Sequence, residues 1–309
     1  MKRKILLLAI LSAGFYVKST AQTGVIPNGG LNTWTNFFFT YDEPNGWATS
    51  NQYKALDISN PVTVFKTTDK FEGGFAAKIE TKPMNTAPAE QFDTLGYLIC
   101  GSVDFSTAEI KGFPYSERPD RLEFYYKYAP VSEDEGGVYV SLTKWDNTTG
   151  TRITVAEGGA AFTDNVSPYI LNEAILGYNT DDVPDSASII FLSSNFLFGT
   201  PQVGSVLFVD NVSFQGQATV TGIKNAPIEQ IQQPVAYPNP SSTEINFRAS
   251  KNATRITTAH FGGSTQATIH LVNGQGKLDT SNLPAGIYFY QIFMEDEPTP
   301  FLGKFVVVR

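Results

Sequence analysis

Leu122, Phe124, Tyr126 and Tyr128 alternate with Arg121, Glu123, Tyr125 and Lys127 along one unbroken stretch of the chain. A period of two puts the first set on one face of a strand and the second on the other. The next stretch repeats the scheme, with Val138, Val140 and Leu142 against Tyr139, Ser141, Thr143 and Trp145, so the two are expected to pair as a hairpin. Phe75, Ala77 and Ile79 alternate in the same way with Ala76, Lys78 and Glu80. Residues 188–192 are apolar on both faces, as a central strand is, and 205–214 read as a further strand. No helical period of useful length interrupts this pattern. With 13% aromatic residues, 26 Gly and 18 Pro, the composition suits short strands joined by tight turns. The fold class expected is all-β, with two packed antiparallel sheets forming a jelly-roll β-sandwich.

Charge and scarce residues narrow the chemistry. The net charge is -8, so no basic field attracts a phosphate backbone, and nucleic acid is not an expected partner. The only histidines are His260 and His270, both in the last quarter of the chain. A Ser/His or Cys/His nucleophile, or a zinc site of His and Cys, therefore cannot be assembled in the long region before them. Cys100 is the single cysteine, so no internal disulfide forms, and its apolar neighbours mark it as a small buried hydrophobe.

The 309 residues leave room for about two domains. Lys2, Arg3 and Lys4 precede an apolar stretch from Ile5 to Val17, followed by the small residues Ser19 and Ala21. This is the pattern of a secretory signal peptide over residues 1–21, too short to span a bilayer, and no later stretch reads as transmembrane. Residues 22–215 carry the strand pattern of the sandwich. Residues 216–234 are polar and Gln-rich and read as a linker. Residues 235–309 contain short strands at 244–247, 267–272, 286–293 and 301–308, expected to form a second, small Ig-like β-sandwich.

In that last block Ala236-Tyr237-Pro238-Asn239-Pro240, residues 269–277 with Asn273-Gly274, Leu283-Pro284-Ala285-Gly286-Ile287-Tyr288-Phe289, and the run 303–309 occur in fixed order. Together they resemble the type A sorting domain of the type IX secretion system. The resemblance implies recognition by an outer-membrane translocon and removal by a sortase. The protein would then be secreted or attached to the outer-membrane surface after passing through the periplasm. Cutting is expected in the linker. Residues 251–266 depart from the family pattern in being longer and more polar.

The body resembles a second family, named the "putative carbohydrate metabolism domain", through residues 26–34, 44–51, 73–81, 118–130 and 204–214. This implies a jelly roll like that of carbohydrate-binding modules and a polysaccharide or oligosaccharide ligand. On such a sandwich, rings on a solvent face offer flat apolar surfaces to sugar C–H groups while polar neighbours bond to hydroxyls. Glu123, Tyr125 and Lys127 share one outward face, and hairpin pairing would extend it with Tyr139, Ser141, Thr143 and Trp145. These same rings could instead serve only as cross-strand pairs on an exposed sheet. Trp34 and Trp47, with apolar neighbours, read as core or turn anchors.

Alternation puts Asp210 beside Phe208, Val212 and Phe214, an expensive position for an unpaired carboxylate. The jelly-roll resemblance implies a structural calcium here, with Asn32 standing where those modules commonly have an acid; a hydrogen-bonded carboxylate closing a loop is the other reading. Catalysis would need two carboxylates facing each other across a cleft. Glu133-Asp134-Glu135 and Asp181-Asp182 read as solvated turn clusters, and Glu123 alone makes no pair. The function expected is non-catalytic glycan binding on an exported protein. A structural or adhesive surface protein and a carboxylate-based glycoside hydrolase are the alternatives.

Overall fold

The computed structural model describes residues 24–37, 39–55, 57–85, 94–104, 109–148, 150–195, 201–218, 235–260, 266–295 and 300–308. The leader expected at 1–21 and residues 219–234 of the expected linker lie outside these.

The body is a sandwich of two antiparallel sheets. The seven-stranded sheet runs in the order Gly177–Tyr178, Thr151–Phe162, Gly136–Asp146, Ser186–Leu192, Tyr97–Cys100 and Trp47–Thr49, with Phe113–Pro114 also pairing with Ser186–Leu192. The five-stranded sheet runs Val166–Ile175, Arg121–Ala129, Val206–Gln215, Ala76–Glu80 and Val64–Thr67. The period-two reading predicts the inward faces well. Leu122, Phe124, Tyr126 and Tyr128 from one sheet meet Val138, Val140, Leu142 and Phe191 from the other. Phe124 packs edge-on to Phe191 with centroids 5.2 Å apart, a favourable arrangement for two ring quadrupoles. Ser186–Leu192, buried along its whole length, is central as expected.

The hairpin between the first two strands is not formed. Arg121–Ala129 lies between Val166–Ile175 and Val206–Gln215, whereas Gly136–Asp146 pairs with Thr151–Phe162 and Ser186–Leu192 in the opposite sheet. Their apolar faces point at each other across the core, which a side-by-side pairing would forbid. Alternation identifies the residues that share a face; it carries no information on which strand lies alongside.

The C-terminal module is a second, smaller sandwich. One sheet contains Val235–Tyr237, Glu244–Arg248 and Gln275–Asp279; the other contains Gln266–His270, Ala253–His260, Gly286–Met294 and Phe301–Val307. Ala253–His260 falls in the polar stretch noted at 251–266. Ala253 and Ile256 of this strand face the module's core, and Ala259 faces away from it. Asn273 and Gly274 have φ of 53° and 73°, the left-handed pair that a tight hairpin turn requires. The module has its own core, in which Ile245, Phe247, Ile256, Tyr288, Tyr290 and Phe305 are buried. The body's principal core is drawn from residues 26–212 alone. A further cluster joins the two, with Ala259 and Phe289 of the module packed on Ala48, Tyr97, Ile99, Tyr139 and Ile190 of the seven-stranded sheet.

Candidate functional site

Because the hairpin is absent, the expected binding residues divide between two faces on opposite sides of the sandwich. Glu123, Tyr125 and Lys127 project from the outer face of the five-stranded sheet, as alternation predicts. Tyr139 and Trp145 belong to the outer face of the seven-stranded sheet. A single platform containing all five is therefore corrected to two separate surfaces.

On the five-stranded sheet, Tyr125 is stacked against Phe71, with centroids 3.5 Å apart and planes 9° from parallel. Phe71 is 43% exposed and presents the outer ring. Lys127 lies 4.3 Å from the centroid of Phe208 and 4.9 Å from that of Tyr169, and it pairs with Asp69. The Tyr169 hydroxyl donates to the Asp69 carbonyl at 2.8 Å, and burial pushes that phenol's pKa up. Glu123 and Glu173 are cross-strand neighbours. Arg121 reaches both, at 2.7 Å and 3.3 Å.

Phe71 belongs to a loop, and the loop is held by Asp210. One carboxylate oxygen of Asp210 accepts the backbone N–H groups of Phe71 at 2.8 Å and Glu72 at 2.9 Å; the other accepts that of Asn211 at 2.8 Å. Burial raises the Asp210 pKa, and these three amides oppose the rise. Asp210 shares a side with Phe208 as expected, but its expected grouping with Val212 needs correction. Asn211 takes a φ of 49°, and two residues, Asn211 and Val212, oppose Phe124 alone, making a β-bulge. The bulge reverses the alternation: Leu207 and Val209 face the core before it and Val212 after it. Asp210 is thus on the outer side with Phe208, buried beneath the loop.

Asn32 works on the same loop from the other end. Its side-chain oxygen accepts the backbone N–H groups of Gly74 and Phe75, the latter at 3.1 Å. The side-chain oxygens of Asp210 and Asn32 therefore both accept backbone N–H groups of this loop or of the neighbouring Asn211. Among the described residues no group of three or more His, Cys, Asp or Glu is placed to hold a metal. Asp210 and Asn32 thus close a loop as hydrogen-bond acceptors, the other reading given for Asp210.

On the seven-stranded sheet, Tyr139 is buried beneath the C-terminal module, with Phe289 edge-on to its ring at 5.3 Å. Its hydroxyl donates to Glu157 at 3.1 Å. Glu157 is fully buried, and burial raises its pKa against four stabilising contacts. Lys304, from the module, is pulled down to about 8 by burial, with Glu157 opposing the fall. Trp145 stays 45% exposed at the rim. It lines a cleft of about 540 Å³ together with Thr143, Arg152 and Ser188 of the body and Lys304 and Val306 of the module.

The turn acids do not behave as one class. Asp134 is buried and accepts the Ser194 hydroxyl at 2.8 Å, which corrects the expectation of a solvated cluster, whereas Asp182 pairs with Lys144 at 2.5 Å. Trp47 is buried and donates to the Pro27 carbonyl at 2.8 Å, an anchor as expected. Sequence reasoning missed Phe71 and Glu157. Phe71 sits in a loop with no period to mark it. Glu157 carried a signal in being the one charge in the small and apolar run Val155 to Ala161.

A Bacteroides thetaiotaomicron protein described as a "putative glycoside hydrolase" superposes with a TM-score of 0.51 at 16% identity, over 64% of this chain and 72% of its own. A Bacteroides vulgatus protein of the same description gives a TM-score of 0.48 at 16% identity, over 62% of this chain and 98% of its own. A cellulose-specific carbohydrate-binding module gives 0.31 at 17% identity, over 55% of this chain and 87% of its own. At such identities the first of these shows a shared fold. No curated protein matches the chain in sequence. Residues 235–307 match the family described as the secretion system C-terminal sorting domain, so the chain carries a type IX sorting module that directs it to secretion, at the cell surface or released.

Proposed function

We propose that residues 22–215 form a non-catalytic glycan-binding module, with the sugar resting on the outer face of the five-stranded sheet, and that the sorting module carries it out of the cell. The observation behind this reading is the joined array on one face: Phe71 on Tyr125, Phe208 and Tyr169 flanking Lys127, and Glu123 with Glu173 sharing Arg121. Rings of this kind receive the apolar face of a pyranose, and the charged groups between them receive its hydroxyls. Residues 216–234 then serve as the linker in which the module is cut away, and the translocon and sortase act on residues 235–309. A hydrolase would need its carboxylates on opposite sides of a scissile bond. Glu123 and Glu173 instead stand side by side on an open face, tied to one guanidinium.

Affinity electrophoresis of the full chain against a panel of soluble polysaccharides tests the reading. Retardation by at least one glycan, lost in Tyr125→Ala and kept in Trp145→Ala, is the expected result. Retardation unchanged in Tyr125→Ala, or release of reducing sugar from the bound glycan, would overturn it.

A further inference from the structure

The C-terminal module roofs the outer face of the seven-stranded sheet, and beside the apolar cluster around Phe289 the contact has a buried polar part. Glu157 Oε1 accepts the Tyr290 hydroxyl at 2.7 Å; Oε2 accepts the Lys304 backbone N–H at 3.0 Å and the Tyr139 hydroxyl at 3.1 Å. Two of the three donors therefore belong to the module. Around them the Gln291 amide donates to Glu135 at 3.0 Å and the Asn239 amide to Thr154 at 3.2 Å. A permanent contact is expected to have an apolar centre depleted of charged residues. Here a fully buried carboxylate is part of the contact, satisfied by two hydroxyls and an amide beside an aromatic ring.

When the module is lifted, Glu157 keeps only Tyr139. Its cross-strand neighbour is Ser141, which is itself opposite Ser188. The same face continues along the strands to Trp145 and Arg152, already open in the cleft. A carboxylate that has lost two donors, next to a ring and a row of hydroxyls, matches what a pyranose with adjacent hydroxyl groups supplies: two O–H donors and an apolar C–H face.

We propose that the sheet face around Glu157 and Tyr139 is a second glycan-binding site, which the sorting module occupies in place of ligand until it is removed. This goes beyond the five-stranded face proposed above and shares with it only the class of ligand. Secretion would then deliver the protein with this site closed, and removal of the module would open it.

The test uses the full chain with a specific protease site placed within residues 224–229. Uncut protein is compared with cut protein freed of the module, in gels containing mixed-linkage β-glucan, xyloglucan, galactomannan, xylan or pullulan. The freed body should bind at least one of these at least about tenfold more tightly than the uncut chain, since covering a site lowers apparent affinity by the fraction left open. That gain should vanish in Glu157→Gln and persist in Tyr125→Ala. Equal binding before and after cutting overturns the proposal, as does a gain that survives Glu157→Gln. A freed body that loses its near-ultraviolet circular dichroism, or that binds none of the five, also overturns it. Binding that is lost in Tyr125→Ala with no gain on cutting leaves the five-stranded face standing and removes this site. A Glu157-dependent gain with Tyr125→Ala unchanged does the reverse.

Discussion

The backbone amide of Phe71 donates to the buried carboxylate of Asp210 at 2.8 Å, across 139 positions of sequence, and this contact sets the loop that lays the Phe71 ring on Tyr125. Asp210 thus acts through geometry on a ring it does not touch.

Asp210→Ala should leave the amides of Phe71, Glu72 and Asn211 without their acceptor and free the loop. Hydrogen bonds to a charged group contribute roughly 1.5–3 kcal/mol each, partly recovered by water at the loop. A stability loss of about 2 kcal/mol in urea unfolding is expected, together with faster proteolysis at residues 69–75. An unchanged midpoint would show that the loop is held by Asn32 alone.

Phe71→Ala removes the outer ring of the stack and exposes the face of Tyr125. Glycan affinity should fall by about 1–2 kcal/mol, a factor of roughly 5–30, because an aromatic contact at a binding face is worth this much. The melting temperature should change little, since Phe71 is already 43% exposed. Isothermal titration with the best glycan of the panel gives the number.

Glu43 is buried beside Thr49, whose hydroxyl donates to it at 2.9 Å; its other oxygen has no hydrogen-bond partner among the described residues. Burial raises its pKa from 4.5 to about 8. The folded state therefore holds a proton that the unfolded state gives up, so stability declines as the pH rises from about 4.5 to about 8. The decline is about 5 kcal/mol at most, at about 1.4 kcal/mol per pH unit. Glu43→Gln should flatten it, with urea midpoints at pH 5 and pH 8.5 closer together than in the wild type.

A methyl group at Gly303 would meet the ring of Tyr290 at 2.3 Å. Gly303→Ala should push Tyr290 off Glu157 and cost about 1–3 kcal/mol, the usual penalty for overpacking. Differential scanning calorimetry should record the loss in the transition that contains the C-terminal module. No change would mean that the Tyr290 ring has room to turn aside.

Much of the architecture was legible along the chain. Period two marked Leu122 to Tyr128 and Val138 to Leu142 as inward-facing, because a residue's side of the strand depends only on its neighbours in sequence. Asn273-Gly274 announced its turn because few residue pairs tolerate two left-handed conformations. The sorting module was recognisable from short strings in fixed order, and residues 235–307 match that family.

Pairing, docking and loop closure were decided in three dimensions. Both candidate strands had outward aromatic rings, yet they took partners in opposite sheets, since apolar faces that meet across a core bury more surface than two laid edge to edge. Val212 parted from the side of Phe208 and Asp210 because a single left-handed residue at Asn211 inserted a bulge, and Tyr139 disappeared from solvent because a module from the far end of the chain came to rest on it. Alternation is local and survives in the sequence; the choice of neighbour depends on contacts between residues far apart in the chain, such as Arg121 with Gln215, and no local pattern records it.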